Sequence, residues 1–118
     1  MTLELAHVTF DCADPQRVAG FWAAALGRPA DPGGNRYFVF IGPDPSTPGG
    51  AAWFFIWVPE AKSTKNRLHV DLRASDRQGE VARLQLLGAS LGAQHDEHGA
   101  RWTVMSDVEG NEFCVGER

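Results

Sequence analysis

Hydrophobic and polar residues alternate near the start of the chain and again after its midpoint. The two stretches are 3–12 (LELAHVTFDC) and 68–73 (LHVDLR). A period of two is typical of a β-strand that buries one face and leaves the other polar. We therefore predict a half-buried strand at each place. The polar face of each strand carries a histidine, His7 in the first and His69 in the second.

Each of these strands is followed by an amphipathic segment with helix signals at both ends. In the first, Asp14 precedes a proline and Gly27 follows the last apolar residue, which predicts a capped helix between them. The apolar residues recur at helical spacing and form one stripe: Val18, Phe21, Trp22, Ala25 and Leu26. In the second, Ser75 or Asp76 is placed to cap a helix that ends at Gly88.

The second half of the chain repeats the pattern of the first half. Segments 7–27 and 69–88 share an initial His-Val pair, an Asp before the helix and a terminal Leu-Gly. Further strands are predicted at 36–41, 51–58, 101–106 and 112–115, with a weaker one after each helix, within 28–35 and at 89–94. Two copies of this order predict an α+β domain of paired βαβββ modules, about 1–60 and 67–118, joined by a polar linker at 59–66.

Segments rich in turn-forming residues separate the predicted strands. Segment 42–50 contains three prolines and predicts a loop, either a plain connector or a gate over a binding site. Segments 95–100 and 107–111 predict turns. The first of these turns carries His95 and His98, for which a solvated loop is favoured over a place in a site.

Length and charge limit the classes of function. The chain has 118 residues, enough for one ordinary domain, and its net charge of −4 argues against nucleic acid as a partner. We see neither a secretory signal nor an apolar run long enough to span a membrane. Cys12 and Cys114 lack metal-binding spacing, so we expect two buried free thiols in a cytoplasmic protein.

The repeat places His7 and His69 at equivalent positions on the polar strand faces. If helices cover one side of each sheet, two sheets that face each other would bring both histidines into one cleft. Glu112 begins the last predicted strand. Two histidines and a carboxylate form a set that holds Fe, Mn, Zn or Ni and leaves positions open for substrate. The alternatives stay open, because a lone strand histidine is usually an ordinary polar residue and Glu112 could cap the 107–111 turn.

Aromatic residues are frequent on the predicted strands. They offer stacking surface for a flat or apolar small molecule. Arginines at strand positions, Arg73 with Arg36 and Arg101, could pair with an anionic group on the ligand. The alternative is that one face of each strand packs on the helices and claims some of the rings. The predicted substrate-binding residues are Phe38, Phe40, Trp53, Phe55, Trp57, Arg73 and Trp102.

Three segments carry a family resemblance that covers nearly the whole chain: DCADPQRVAGFWAAALG, LHVDL and DVEGNEFCV. They resemble a glyoxalase-like domain of the vicinal oxygen chelate superfamily, which includes glyoxalase I, bleomycin-resistance proteins and extradiol dioxygenases. The resemblance implies that each module curls into a half-barrel, that the two enclose a ligand or metal cleft, and that the protein is a homodimer. We expect no organic cofactor, and neither nucleic acid nor a membrane as a partner.

The resemblance also implies a ligand set and a choice of functions. His7, His69 and Glu112 match three family ligand positions, with Glu112 as the catalytic carboxylate. The fourth position falls on Ile56, and the nearest carboxylate is Glu60. This departure argues against glyoxalase I activity, which uses glutamates from both modules. A metal-dependent lyase, isomerase or dioxygenase is the first hypothesis, and a non-catalytic small-molecule or antibiotic-binding dimer is the alternative. A third hypothesis is a domain without a ligand that serves as an assembly partner.

Overall fold

The computed structural model describes residues 2–46 and 50–117, so part of the predicted 42–50 loop lies outside the described residues. The chain divides into two compact units, Met1–Ala61 and Lys62–Arg118. In chain order the described elements are β1 (His7–Cys12), α1 (Pro15–Leu26), β2 (Phe38–Ile41), β3 (Ala52–Trp57), β4 (Val70–Ala74), α2 (Arg77–Leu86), β5 (Ser90–Glu97), β6 (Ala100–Ser106) and β7 (Glu112–Glu117).

The first unit is a three-stranded mixed sheet with α1 on one face. The strand order is β1-β3-β2, with β1 parallel and β2 antiparallel to β3. Trp22 of α1 is fully buried and its ring lies 5.6 Å from that of Phe10 and 5.0 Å from that of Trp53. Phe55, also fully buried, stacks on Phe10. The alternation of β1 therefore places its apolar side against the helix, as predicted.

Helix α1 begins and ends at the residues that the sequence indicates. The Asp14 carboxylate accepts a hydrogen bond from the Arg17 backbone N–H at 3.2 Å, which satisfies one unpaired donor of the first turn. At the other end Gly27 has φ of 65°, and its N–H donates to the Ala23 carbonyl. This left-handed conformation ends the helix. Residues with a Cβ rarely adopt it, so glycine is favoured at this position.

The second unit is a four-stranded mixed sheet with α2 on one face. The order is β4-β7-β6-β5, and β4 is parallel to β7. Val81 and Leu84 of α2 are buried, and the helix packs on the sheet. Buried residues of β6 and β7 are Thr103, Met105, Phe113 and Val115. The α2 cap is Asp76, whose side chain accepts from the Gly79 N–H at 3.0 Å. Two mixed sheets, each carrying one helix, confirm the α+β class.

Two predicted segments differ in the structure. The weak strand within 28–35 is reduced to one isolated bridge, Ala30 to Ile41, because prolines and glycines flank it. The turn predicted at 95–100 is wrong for residues 95–97, which continue β5. Only His98 and Gly99 form the turn, with φ of 54° and 78°. Positive φ at both central residues is what a tight two-residue hairpin requires.

No helix among the described residues is long and apolar enough to cross a membrane.

Substitutions at two glycines of the first unit test where α1 ends. A Cβ at either Gly20 or Gly27 meets no atom within 4 Å. We expect Gly27→Ala to lower the free energy of unfolding by about 1 kcal/mol, since only its φ is positive. Gly20→Ala, inside the helix, should raise it by about 0.5–1 kcal/mol. Urea denaturation measures both changes, and the same sign for both would contradict the assigned helix end.

Candidate functional site

The candidate site lies on the face of the second sheet that points away from α2. Neighbouring strands place Asp71 of β4 opposite Cys114 of β7, and Cys114 opposite Val104 of β6. On β6, Trp102 is paired with Gly116. A cavity of about 480 Å³ opens on this face. Its lining residues are Lys65, His69, Asp71, Leu72, Trp102, Val104, Cys114 and Gly116.

Three side chains with metal-binding atoms meet in this cavity. His69 Nδ1 lies 3.0 Å from Asp71 Oδ1, and one donor atom from each of His69, Asp71 and Cys114 falls within 4.8 Å of the others. Burial, the charge of Asp71 and a hydrogen bond with Asp71 raise the pKa of the Cys114 thiol. The thiol is therefore protonated at neutral pH and donates to Asp71. The Asp71 carboxylate thus connects the imidazole and the thiol.

The donor set fits a particular class of metal. Imidazole nitrogen, carboxylate oxygen and thiolate sulfur together are ligands of zinc and related transition metals. Magnesium and calcium prefer sets made only of oxygen. The cluster is thus suited to a transition metal, and it lies wholly within the second unit.

Glu112 is engaged elsewhere. Its carboxylate accepts a hydrogen bond from the Asn66 backbone N–H at 3.0 Å and forms an ion pair with Lys62 at 3.2 Å. Burial opposes the charge of Glu112, but these partners and its own backbone N–H outweigh burial and lower its pKa. The carboxylate therefore ties the linker to the start of β7. Its predicted roles as ligand and catalytic group stay predictions, and either would require it to leave Lys62 and Asn66.

The 107–111 turn is held by its own residues instead of by Glu112. The Asp107 carboxylate is buried and accepts hydrogen bonds from the backbone N–H groups of Glu109 and Asn111. Asp107, and not Glu112, therefore caps this turn.

His7 lies on the face of the first sheet that points away from α1. Its ring stacks on that of Phe54 at 3.9 Å between centroids, with 15° between the planes. Phe54 in turn contacts Phe38 and Phe40 edge to face. The predicted substrate residues Phe38 and Phe40 thus form a half-buried aromatic cluster with Phe54, and the exposed His7 lies against Phe54. The role of His7 as a metal ligand stays a prediction.

The remaining predicted substrate residues fall in three environments. Trp53 and Phe55 belong to the buried core against α1, so their assignment to an open pocket is corrected: β3 alternates, and odd-numbered residues face the helix. Trp57 lies at the exposed end of the same strand. Trp102 lines the cavity and stacks on His95 at 4.9 Å, and Arg73 is exposed on β4.

Sequence reasoning did not single out Asp71 or Lys65 as candidate site residues, and it placed Cys114 in the core. Asp71 shares the alternation of His69, so the pattern of β4 contained the signal that the two side chains lie on one face. Cys114 was expected to be a buried hydrophobe. In the sheet, β7 lies beside β4, although the two strands are far apart in the sequence. Only this pairing shows that the Cys114 thiol is half-buried beside the Asp71 carboxylate.

Comparison with known proteins gives a family match along almost the entire chain. A family model described as a glyoxalase-like domain matches residues 7–116. A sequence comparison with curated proteins finds no match.

Several solved structures share the fold. A glyoxalase/bleomycin resistance protein/dioxygenase family enzyme from Burkholderia phytofirmans superposes with a TM-score of 0.78 at 14% identity, covering 98% of each chain. A fosfomycin resistance protein from Listeria monocytogenes gives 0.77 at 12% identity, covering 100% of this chain and 95% of the other. A lactoylglutathione lyase from Agrobacterium tumefaciens gives 0.68 at 14%, covering 99% and 95%. Identities this low show a common fold alone.

The raised pKa of Cys114 can be tested through its reactivity. Because the Asp71 charge disfavours the thiolate, Asp71→Asn should lower the pKa of Cys114. The rate of alkylation by iodoacetamide, followed from pH 6 to 11, should rise at a lower pH in the variant than in the wild type. Cys114→Ser is the control for reaction at Cys12, which is buried. An unchanged or higher midpoint in Asp71→Asn would contradict the assigned contact.

Proposed function

The chain belongs to the glyoxalase-like domain family, and from this we propose that it binds a divalent transition metal and a small molecule together on the open face of the second sheet. The observation that carries the proposal is the meeting of His69, Asp71 and Cys114 in a cavity of about 480 Å³. The reaction class is metal-assisted lyase, isomerase or dioxygenase-type chemistry on a substrate with adjacent oxygens.

The residues of the cavity would hold the metal in defined roles. His69 supplies nitrogen, Asp71 supplies oxygen and Cys114 supplies sulfur. Of Fe, Mn, Zn and Ni, a thiolate favours zinc over manganese. When bound, the metal polarises a substrate oxygen as a Lewis acid. The thiol must first lose its proton, so metal affinity should increase with pH.

His7 and Glu112 stay candidates from the sequence. His7 is exposed on the first sheet. Glu112 is ionised at neutral pH, but its lowered pKa makes it a weak base, so a role as general base requires release from Lys62 and Asn66, the partners that lower its pKa.

The small molecule would lie beside Trp102. The indole ring, stacked on His95, gives a flat apolar surface at the cavity, and Lys65 offers a positive charge for an anionic oxygen. The names of two structural neighbours, a fosfomycin resistance protein and a lactoylglutathione lyase, support a small polar substrate.

A second candidate function is binding without a metal, as in antibiotic-binding relatives. Two observations favour it: Glu112 is held by Lys62 and Asn66, and the cluster of Phe54, Phe38 and Phe40 offers stacking surface.

Under either function we expect a homodimer. Two free cysteines agree with a reducing compartment, the cytoplasm.

Elemental analysis of protein saturated with zinc and then desalted tests the metal proposal. We expect about one ion per chain for the wild type and loss of the ion in His69→Ala and Cys114→Ser, because each removes a donor. The matched control is Glu112→Gln, which removes a carboxylate of the same sheet outside the cluster and should retain the ion. Far-UV circular dichroism checks that each variant is folded.

Two outcomes would contradict this assignment. If the wild-type protein retains no zinc after desalting, the proposal that it binds a metal is wrong. Loss of zinc in Glu112→Gln but not in Cys114→Ser would move the site to the ligands predicted from sequence. Quenching of tryptophan fluorescence by an aromatic ligand, unchanged by a chelator, would then favour binding without a metal.

A further inference from the structure

A second cavity lies in the first unit, at the carboxyl ends of the parallel strands β1 and β3. Its volume is about 470 Å³. The turn between β1 and α1 forms one side, and the end of β3 with the residues before β2 forms the other. The lining residues are Ala13, Asp14, Arg36, Tyr37 and Trp57, and none of them lines the cavity of the candidate metal site.

Two large aromatic rings are exposed in this cavity. Trp57 is 44% exposed and Tyr37 51% exposed, and their rings meet edge to face at 6.1 Å. The Trp57 backbone N–H donates to the Tyr37 carbonyl at 2.9 Å, which fixes the two residues side by side. Adjacent exposed rings held by the backbone are more informative than scattered apolar residues, because such surfaces commonly bind partners.

A cationic group lies beside these rings. The Arg36 guanidinium stands 4.7 Å from the centre of the Tyr37 ring and donates a hydrogen bond to the Tyr37 hydroxyl. Within residues 2–46 and 50–117, Arg36 forms no ion pair with a carboxylate. Asp14 also lines the cavity, but its carboxylate caps α1 by accepting from the Arg17 N–H. The guanidinium charge is therefore available to an anion.

We infer that this cavity binds a planar aromatic anion, with the ring against Trp57 and Tyr37 and the carboxylate on Arg36. A planar ring suits the edge-to-face pair, because its face can lie against one ring and its edge against the other. A carboxylate matches the fork of a guanidinium, which presents parallel N–H donors. The site is separate from the proposed metal function and requires no metal.

Nuclear magnetic resonance of the indole N–H groups tests this inference. The chain has four tryptophans, and Trp57→Phe identifies the Trp57 signal by its loss. The probe is 2-naphthoate, with neutral 2-naphthalenemethanol and non-planar cyclohexanecarboxylate as matched compounds. We expect 2-naphthoate to shift the Trp57 signal with saturation and to leave the Trp102 signal in place. Both matched compounds should bind about tenfold more weakly.

Variants of two arginines complete the test. Arg36→Gln should weaken 2-naphthoate binding about tenfold, because it removes the charge that pairs with the carboxylate. Arg17→Gln, an exposed arginine of α1 outside the cavity lining, should leave binding unchanged. Equal weakening in both variants would overturn the assignment of Arg36.

Three other outcomes would overturn the site itself. A Trp57 signal that does not respond to 2-naphthoate would show that the cavity binds no planar anion. A response of Trp102 alone would place the probe in the candidate metal cavity. A Trp57 shift that follows protein concentration instead of the probe would identify a contact between copies. None of these outcomes alters zinc retention, so they leave the proposed function to its own test.

Discussion

The parallel pairing of β4 with β7 is the interaction on which the candidate site depends. It sets Asp71 opposite Cys114, although the two strands are separated by a helix and two further strands. The register is fixed by burial, because Phe113 and Val115 must face α2. A slip of one residue would turn the core side chains outward and the donor side chains inward. The packing of α2 on one face of the sheet therefore sets which side chains lie on the face of the candidate site.

The two units use the same arrangement for different surfaces. In the first, the parallel pairing of β1 with β3 sets Thr9 opposite Phe54, at the place where the second unit has Asp71 opposite Cys114. The phenyl ring of Phe54 stacks on His7, whereas the Asp71 carboxylate contacts His69. The first face is thus aromatic and the second carries metal donors. The repeat in the sequence conserves the backbone plan while the side chains at equivalent positions diverge.

Short-range features of the structure could be predicted from the sequence, and long-range ones could not. The caps Asp14 and Gly27 act within a few residues of α1, so the pattern alone located that helix. The alternation of β3 separated its two faces but did not indicate which face meets α1, and Trp53 and Phe55 were assigned to the pocket for that reason. The contacts of Glu112 with Lys62 and Asn66 join residues far apart in the chain, and no local pattern reports them.

Sulfur coordination of a bound metal would distinguish the proposed site from a set of two histidines and a carboxylate. X-ray absorption at the zinc edge of the metal-loaded protein measures it directly. A cluster of His69, Asp71 and Cys114 predicts one sulfur neighbour at about 2.3 Å together with nitrogen and oxygen neighbours at about 2.0–2.2 Å. A spectrum fitted by nitrogen and oxygen alone would contradict the account and return the ligand role to Glu112.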